Sequence, residues 1–359
     1  MELRPLKLKQ RAGYEAVLES ASRLSQIVLA LIALTAALEY GEVIFAPIIL
    51  GVVIGLMFSP VARAIEKRGV PSWLAALAIM LLFIAILGMV GTALAVPLST
   101  WIDRIPEIWE SLRLQIASWR DLVGSLTGFR EQLGEIMGSS GDMTVNVDDG
   151  SAVESAVYLG PTIVAELILF LASLYFFVAT RDQFRIAALS LCVTRRLRFR
   201  IAHFFRDVET LVSRYLLTIT VVNIGLGITV ALAMWAIGMP TPLLWGALAA
   251  ALNYVIYIGP AINAIILLLI SLALHNNAFD ILLPPAIYLA INLAESQFVT
   301  SHLLGVTLTM NPFLVFLSLA FWIWLWGPAG GFIAVPALLI LYALIRNVLP
   351  RNEGLRQAV

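Results

Sequence analysis

Charge, cysteine and histidine are all scarce in this chain. Asp, Glu, Lys and Arg make up 13% of 359 residues, about half the usual share in a soluble domain. A single cysteine, Cys192, excludes an internal disulfide and any multi-cysteine metal site. The three histidines, His203, His275 and His302, are too scattered in sequence to suggest a metal centre. No metal and no cofactor is therefore expected. There is no GxxxxGK[ST] phosphate loop, so ATP-driven transport would need a separate subunit. No HExxH and no Ser/His/Asp set lies at membrane depth, which leaves intramembrane hydrolysis unsupported, and no enzyme is expected. Acids and bases balance at 23 each, so net charge points to no partner.

What fills the chain is apolar. Residues of the hydrophobic class make up 60%, and mean hydropathy is +0.93. The fold class expected is an all-α polytopic membrane protein with about eight predicted transmembrane segments. Apolar windows place spans at Leu24–Leu38, Val43–Ser59 and Trp73–Val96. Between the first two lies only the polar knot Glu39–Glu42, which reads as a tight hairpin. A signal peptide competes for the first span, but Glu15 and Glu19 interrupt the positive leader, and a retained span fits better. Further spans follow at Val157–Ala179, Leu211–Ile237 and Ile281–Thr300.

Charge then orients these spans. Residues 97–154 hold ten acids against four bases. Within them Ile102, Ile105, Trp109, Leu112, Ile116 and Trp119 recur at helical spacing, and Gly138–Gly150 has loop chemistry. Arginine instead crowds the stretch after the fourth span. Positive charge marks the cytoplasmic side. The organisation expected is a cytoplasmic N-terminal segment 1–23, spans one to three in 24–96, and an acidic extracytoplasmic segment 97–156. Span four in 157–180 and a cytoplasmic basic segment 181–210 follow. A transport core 211–348 and a cytoplasmic tail 349–359 complete it.

Two segments of the core break at the same tripeptide. Leu243–Ile258 runs into Gly259-Pro260-Ala261, and Phe313–Trp326 into Gly327-Pro328-Ala329. Each arm of about 13 to 16 residues is about 20 to 24 Å long as helix, short of a membrane core of about 30 Å. Broken backbone at membrane depth survives only where protein buries it or a watery cavity meets it. Paired interruptions point to a transporter's binding site. Parity allows each segment to be a re-entrant hairpin or two crossings, and arm length favours hairpins.

Polar side chains gather at the first break only. Asn253, Tyr254, Tyr257 and Asn263 surround Gly259 and Pro260, with Thr220 and Asn223 stacked on the fifth span. Asn292 and Glu295 share a face of the following span. A small polar solute or a cation suits such a lining; ordinary interhelical hydrogen bonding is the competing account. Gly327 and Pro328 offer backbone only. Ionisable groups at membrane depth cost several kcal/mol, which makes Glu295 and Glu166 candidate proton carriers. Arg195, Arg196, Arg198 and Arg200 alternate with apolar residues, as in a basic amphipathic helix on an anionic inner leaflet. The bilayer rather than nucleic acid is the partner expected for them.

Several blocks resemble the autoinducer-2 exporter family of bacterial permeases between about Phe45 and Ile345. They are GLMFSPVARAIEKRGVPSWLA, the Arg214-Tyr215 pair, GMPTPLLWGALAAALNYVIYIGP, the Glu295 span, Gly305…Asn311-Pro312 and GPAGGFIAVPAL. Ile256 stands where the family typically has proline, and Ser301-His302 where it commonly has Pro-Arg. The resemblance implies an inner-membrane permease with cytoplasmic termini, assembled as a homo-oligomer, a pentamer being one expected form. It implies export of an autoinducer-2-like solute in quorum sensing, or sodium(lithium)/proton antiport. An envelope scaffold or signalling partner is the reading of a different class.

Overall fold

The structure is a computed structural model that describes residues 6–104, 106, 108–110, 113, 151–275, 277–300 and 311–348. Much of the acidic segment, including Gly138–Gly150, therefore lies outside the described residues. So do the tail 349–359 and Ser301, His302 and Gly305. The described residues are helical throughout their regular elements, with no strand among them. In chain order they form α1 (Leu6–Tyr40), α2 (Glu42–Glu66), α3 (Ser72–Asp103), α4 (Ser151–Ser190) and α5 (Arg195–Ala236). Then come α6 (Pro242–Leu252), α7 (Ile258–Leu274), α8 (Ala278–Ala294), a π-helical turn Glu295–Thr300, and α9 (Pro312–Val348). Among the described residues, seven helices are long and apolar enough to cross a membrane, and α6 and α7 are two shorter apolar ones. This is a multi-pass all-α membrane protein.

Two sequence expectations need correction. The knot Glu39–Glu42 does not reverse the chain. Helical bonds run up to the Gly41 N–H, which donates to Ala37 O, and restart from the Gly41 carbonyl, which accepts from Phe45 N–H, so α1 gives way to α2 with no loop between them. Gly41 itself is not helical (φ −95°, ψ 18°), yet α1 does not fold back along α2: the apolar window in Glu19–Tyr40 is 0% buried. Accordingly α1 meets the rest of the chain near its C-terminal end, where Trp326 Nε1–H reaches Leu38 O at 3.1 Å. The basic stretch, second, is not a separate helix. Thr194 caps α5 by accepting from Leu197 N–H, and the helix then runs unbroken from Arg195 to Ala236. No proline interrupts it, so nothing ends it at the membrane surface. Arg195, Arg196 and Arg198 are exposed on its first turns, and Arg200 is partly so.

Helix α5 is the axis of the fold. Near its start it packs with α2 and the end of α9 around Val212, Leu216, Val335 and Leu339. Near its end it packs with α6, α7 and α8 around Val230, Trp245, Leu267 and Tyr288. Alongside, α2, α3 and α4 share a third core around Phe58, Ala76 and Leu174. Gly227 and Gly246 let α5 and α6 cross closely; a Cβ on Gly227 would sit 2.8 Å from the Gly246 carbonyl oxygen. Small residues serve this purpose where helices associate in lipid.

Candidate functional site at the meeting of two helical hairpins

Both broken segments fold into helical hairpins. The first turns through Asn253–Tyr257, between α6 and α7. The second turns inside α9, at Trp326 (φ −137°, ψ 24°) and Gly327 (φ 54°, ψ −135°). Across it, Ser318 Oγ donates to Ala334 O at 2.8 Å, which fixes the two arms side by side and antiparallel. In each case proline stands just after the break, in the first turn of the outgoing helix. There its missing N–H has no intrahelical partner to lose. Gly259-Pro260 thus opens α7 one turn after the first break, rather than forming it. Gly327 is the second break itself.

Close approach explains one glycine in each hairpin. A Cβ on Gly259 would fall inside the Leu252 carbonyl, and one on Gly330 inside the Trp322 carbonyl. Outgoing and incoming arms touch backbone to backbone at both places, which only glycine permits.

Contacts along α5 show how the hairpins face each other. Reading from its basic end, Asp207 accepts from Asn347 Nδ2 at 3.0 Å, near the end of α9. Thr220 accepts from the Tyr254 hydroxyl at 2.8 Å, and Asn223 from Asn253. Gly227 then meets Gly246 in α6. The second hairpin therefore enters from the basic end of α5 and the first from the opposite end. Their tips meet beside Thr220 and Asn223. Asn223 is 16 residues from Asp207 and 13 from Ala236, about 24 and 20 Å of helix. Contact between the tips is direct: Tyr254 and Phe332 rings lie 5.2 Å apart, and Gly331 faces Val255.

Polar groups are threaded through this junction. Asn253 Nδ2 donates to Asn223 Oδ1 at 2.8 Å, and Asn292 Nδ2 donates to Asn253 Oδ1 at 3.2 Å. Three asparagines from three helices form one chain. Asn263 is fully buried one turn beyond Gly259 and faces the Tyr288 hydroxyl without completing a hydrogen bond. Glu295 is within electrostatic reach of that hydroxyl. It is 9% exposed and accepts from Thr300 across the π-helical turn. Five-residue spacing places Glu295 and Thr300 together, and such turns recur at functional sites.

Several buried polar atoms here find no partner among the described residues: Asn223 Nδ2, both amide atoms of Asn263 and the Tyr288 hydroxyl, with Ser271 Oγ further along α7. Each such atom costs about 1–3 kcal/mol. Their clustering marks a place where a polar occupant would be stabilised. On α7 the buried stripe is Gly259, Asn263, Leu267 and Ser271, each four residues after the last.

The candidates from sequence divide accordingly. Asn223, Asn253, Asn263, Asn292 and Glu295 come together, with Gly259 and Pro260 holding the turn. Tyr257 does not join them; its backbone has φ +65° and the residue is 65% exposed. Gly327 and the exposed Pro328 shape the second tip, but Gly331 makes the contact. Glu166 lines a separate cavity with Ala329. Sequence reasoning missed Tyr288 and Ser271. Their signal was present, since Tyr288 lies four residues before Asn292 and Ser271 eight after Asn263.

Comparison with known proteins agrees with this architecture. A sequence model of the AI-2E family transporter matches residues 27–349. YrrI of Bacillus subtilis (strain 168), a transport protein by provisional name, is 24% identical over 316 residues, 86% of this chain and 87% of its own length. The AI-2 transport protein TqsA of Escherichia coli (strain K12) is 35% identical over 130 residues, 36% of this chain and 38% of its own. YhhT of the same strain, also provisionally named a transport protein, is 34% identical over 125 residues. That stretch spans 36% of YhhT and 35% of this chain.

Proposed function

The chain belongs to the AI-2E transporter family, and on that premise we propose that it is a secondary permease carrying a small polar solute past the hairpin junction. The observation that carries this reading is the run of buried, partly unpaired amides and hydroxyls where the two tips meet. A neutral solute with several hydroxyls offers both donors and acceptors to such groups. An autoinducer-2-like solute has that chemistry, and the name of TqsA points the same way. Asn253, Asn263 and Asn292 bind the solute, the tips gate it, and Glu295 carries the coupling proton. The protein works in a bacterial inner membrane, exporting outward, with both termini in the cytoplasm and as a homo-oligomer. Its basic helix ends rest among anionic headgroups of the inner leaflet.

Liposomes loaded with autoinducer-2 and given a proton gradient test this. Parent protein should release it in a gradient-dependent way, and Glu295→Gln should lose that dependence. Unchanged efflux and pH response would remove Glu295 from the mechanism.

One observation favours a second reading, sodium(lithium)/proton antiport. The Glu295 carboxylate lies with the Thr300 hydroxyl, and hard oxygen ligands of this kind are what an alkali cation accepts. Everted vesicles separate the two readings. Proton movement on adding sodium or lithium supports antiport; a flat response excludes it.

A further inference from the structure

The hairpin junction leaves one membrane-depth carboxylate unused. Glu166 lies 15 residues before Arg181 on α4, about 22 Å along the helix. It lines a cavity of about 370 Å³ between α2, α3 and α4, within the size range of small-molecule sites. Pro47, Leu50, Phe83, Leu87 and Phe170 make the apolar wall, and no Lys, Arg or His lines it. Among the described residues none bonds the Glu166 carboxylate. Ala329 of the second hairpin tip closes one side.

These facts restrict the occupant. An anion is repelled, and a neutral apolar molecule leaves a carboxylate uncompensated in hydrocarbon, at a cost of several kcal/mol. A small inorganic cation needs several oxygen ligands, and this wall supplies one carboxylate. A positive centre wrapped in apolar groups satisfies both the charge and the wall. Aromatic rings add to its attraction, and Phe83 and Phe170 pair here at 5.3 Å. We propose that the groove between α2, α3 and α4 binds a lipophilic organic cation, with Glu166 as its counter-ion. The bound cation touches Ala329, two residues from the Gly331 contact with Val255, and so sits against the gating tip.

The test uses the full-length protein in phosphatidylcholine nanodiscs, with empty nanodiscs subtracted. Tetraphenylphosphonium is the cation and triphenylphosphine oxide its neutral counterpart. Glu166→Gln should weaken cation binding by about tenfold or more and leave the neutral compound within about twofold. Ile163→Trp gives an independent reading if Glu166→Gln folds poorly. It fills the groove from a position 60% exposed, keeps the carboxylate, and should cause a similar loss. Equal affinity of the parent for the two compounds overturns the proposal, since the carboxylate then contributes nothing to cation selection. Cation binding unchanged in either folded variant overturns it as well.

Discussion

The first hairpin turns through Asn253, Tyr254, Val255, Ile256 and Tyr257, whereas the second turns at Trp326 and Gly327 with only Pro, Ala and Gly beyond it. Their backbones solve one problem the same way. A glycine in each outgoing arm presses on a carbonyl of the incoming arm, and a proline sits in the outgoing helix's first turn. Their side chains then part company. Asn253 links α5, α6 and α8 through two hydrogen bonds, while Trp326 is 2% exposed and packs with Ala46, Leu325 and Ile333. Backbone shape is thus common to both tips, and only the first carries polar side chains in its turn. The second offers only small side chains to that contact, as Gly331 does to Val255.

The shared part is the most sensitive to substitution. Gly259→Ala and Gly330→Ala should each destabilise by about 3 kcal/mol or more, because a methyl group meets backbone that cannot turn aside. Thermal unfolding of the purified proteins reads this. If one alanine is tolerated and the other is not, the two hairpins are not equivalent.

Tip-to-tip contact is next. With Cys192 replaced by serine, Val255→Cys and Gly331→Cys together should form a disulfide under mild oxidation and stop transport, with recovery on reduction. Val255→Cys alone should transport normally, and the Val255→Cys/Gly331→Cys pair kept reduced is the reference, since a side chain on Gly331 alone would crowd Val255. A pair that never cross-links breaks the tip-to-tip arrangement itself.

The difference between the tips is sharpened by a third pair. Asn253→Leu removes two hydrogen bonds and leaves Asn223 and Asn292 unpaired, so solute efflux should fall by about tenfold or more. Pro328→Ala at the exposed rim of the second tip should change efflux by less than about threefold. Equal losses would mean that both tips touch solute.

How much of this could be read from the chain follows from the range of each interaction. Proline and glycine act within a turn of themselves, so two interrupted helices with short arms were visible at Gly259-Pro260 and Gly327-Pro328. Asn223, Asn253 and Asn292 stood out because amides are costly in apolar helices. Opposite entry of the two hairpins was not visible, because it depends on Asp207 meeting Asn347 and Thr220 meeting Tyr254, pairs 140 and 34 residues apart. The π-helical turn at Glu295 was also hidden. One extra residue in a helix leaves no local mark, yet it decides that Glu295 meets Thr300. Continuity misled before Leu211, where the charged stretch suggested an end that no helix breaker enforces, and at Glu39–Glu42, where Gly41 ends α1 without folding it back.

The smallest expected effect concerns the arms rather than the tips. Ser318 Oγ bonds the Ala334 carbonyl across the second hairpin, and no side-chain bond joins α6 to α7 among the described residues. Ser318→Ala should lower stability by about 0.5–1 kcal/mol, the usual worth of such a bond between helices in lipid. Efflux should stay near the parent's, since the arm lies away from the polar junction. A larger loss of efflux than of stability would show that the second hairpin's arms move during transport. The contrast between a recognising tip and a supporting one would then become a contrast between a fixed hairpin and a mobile one.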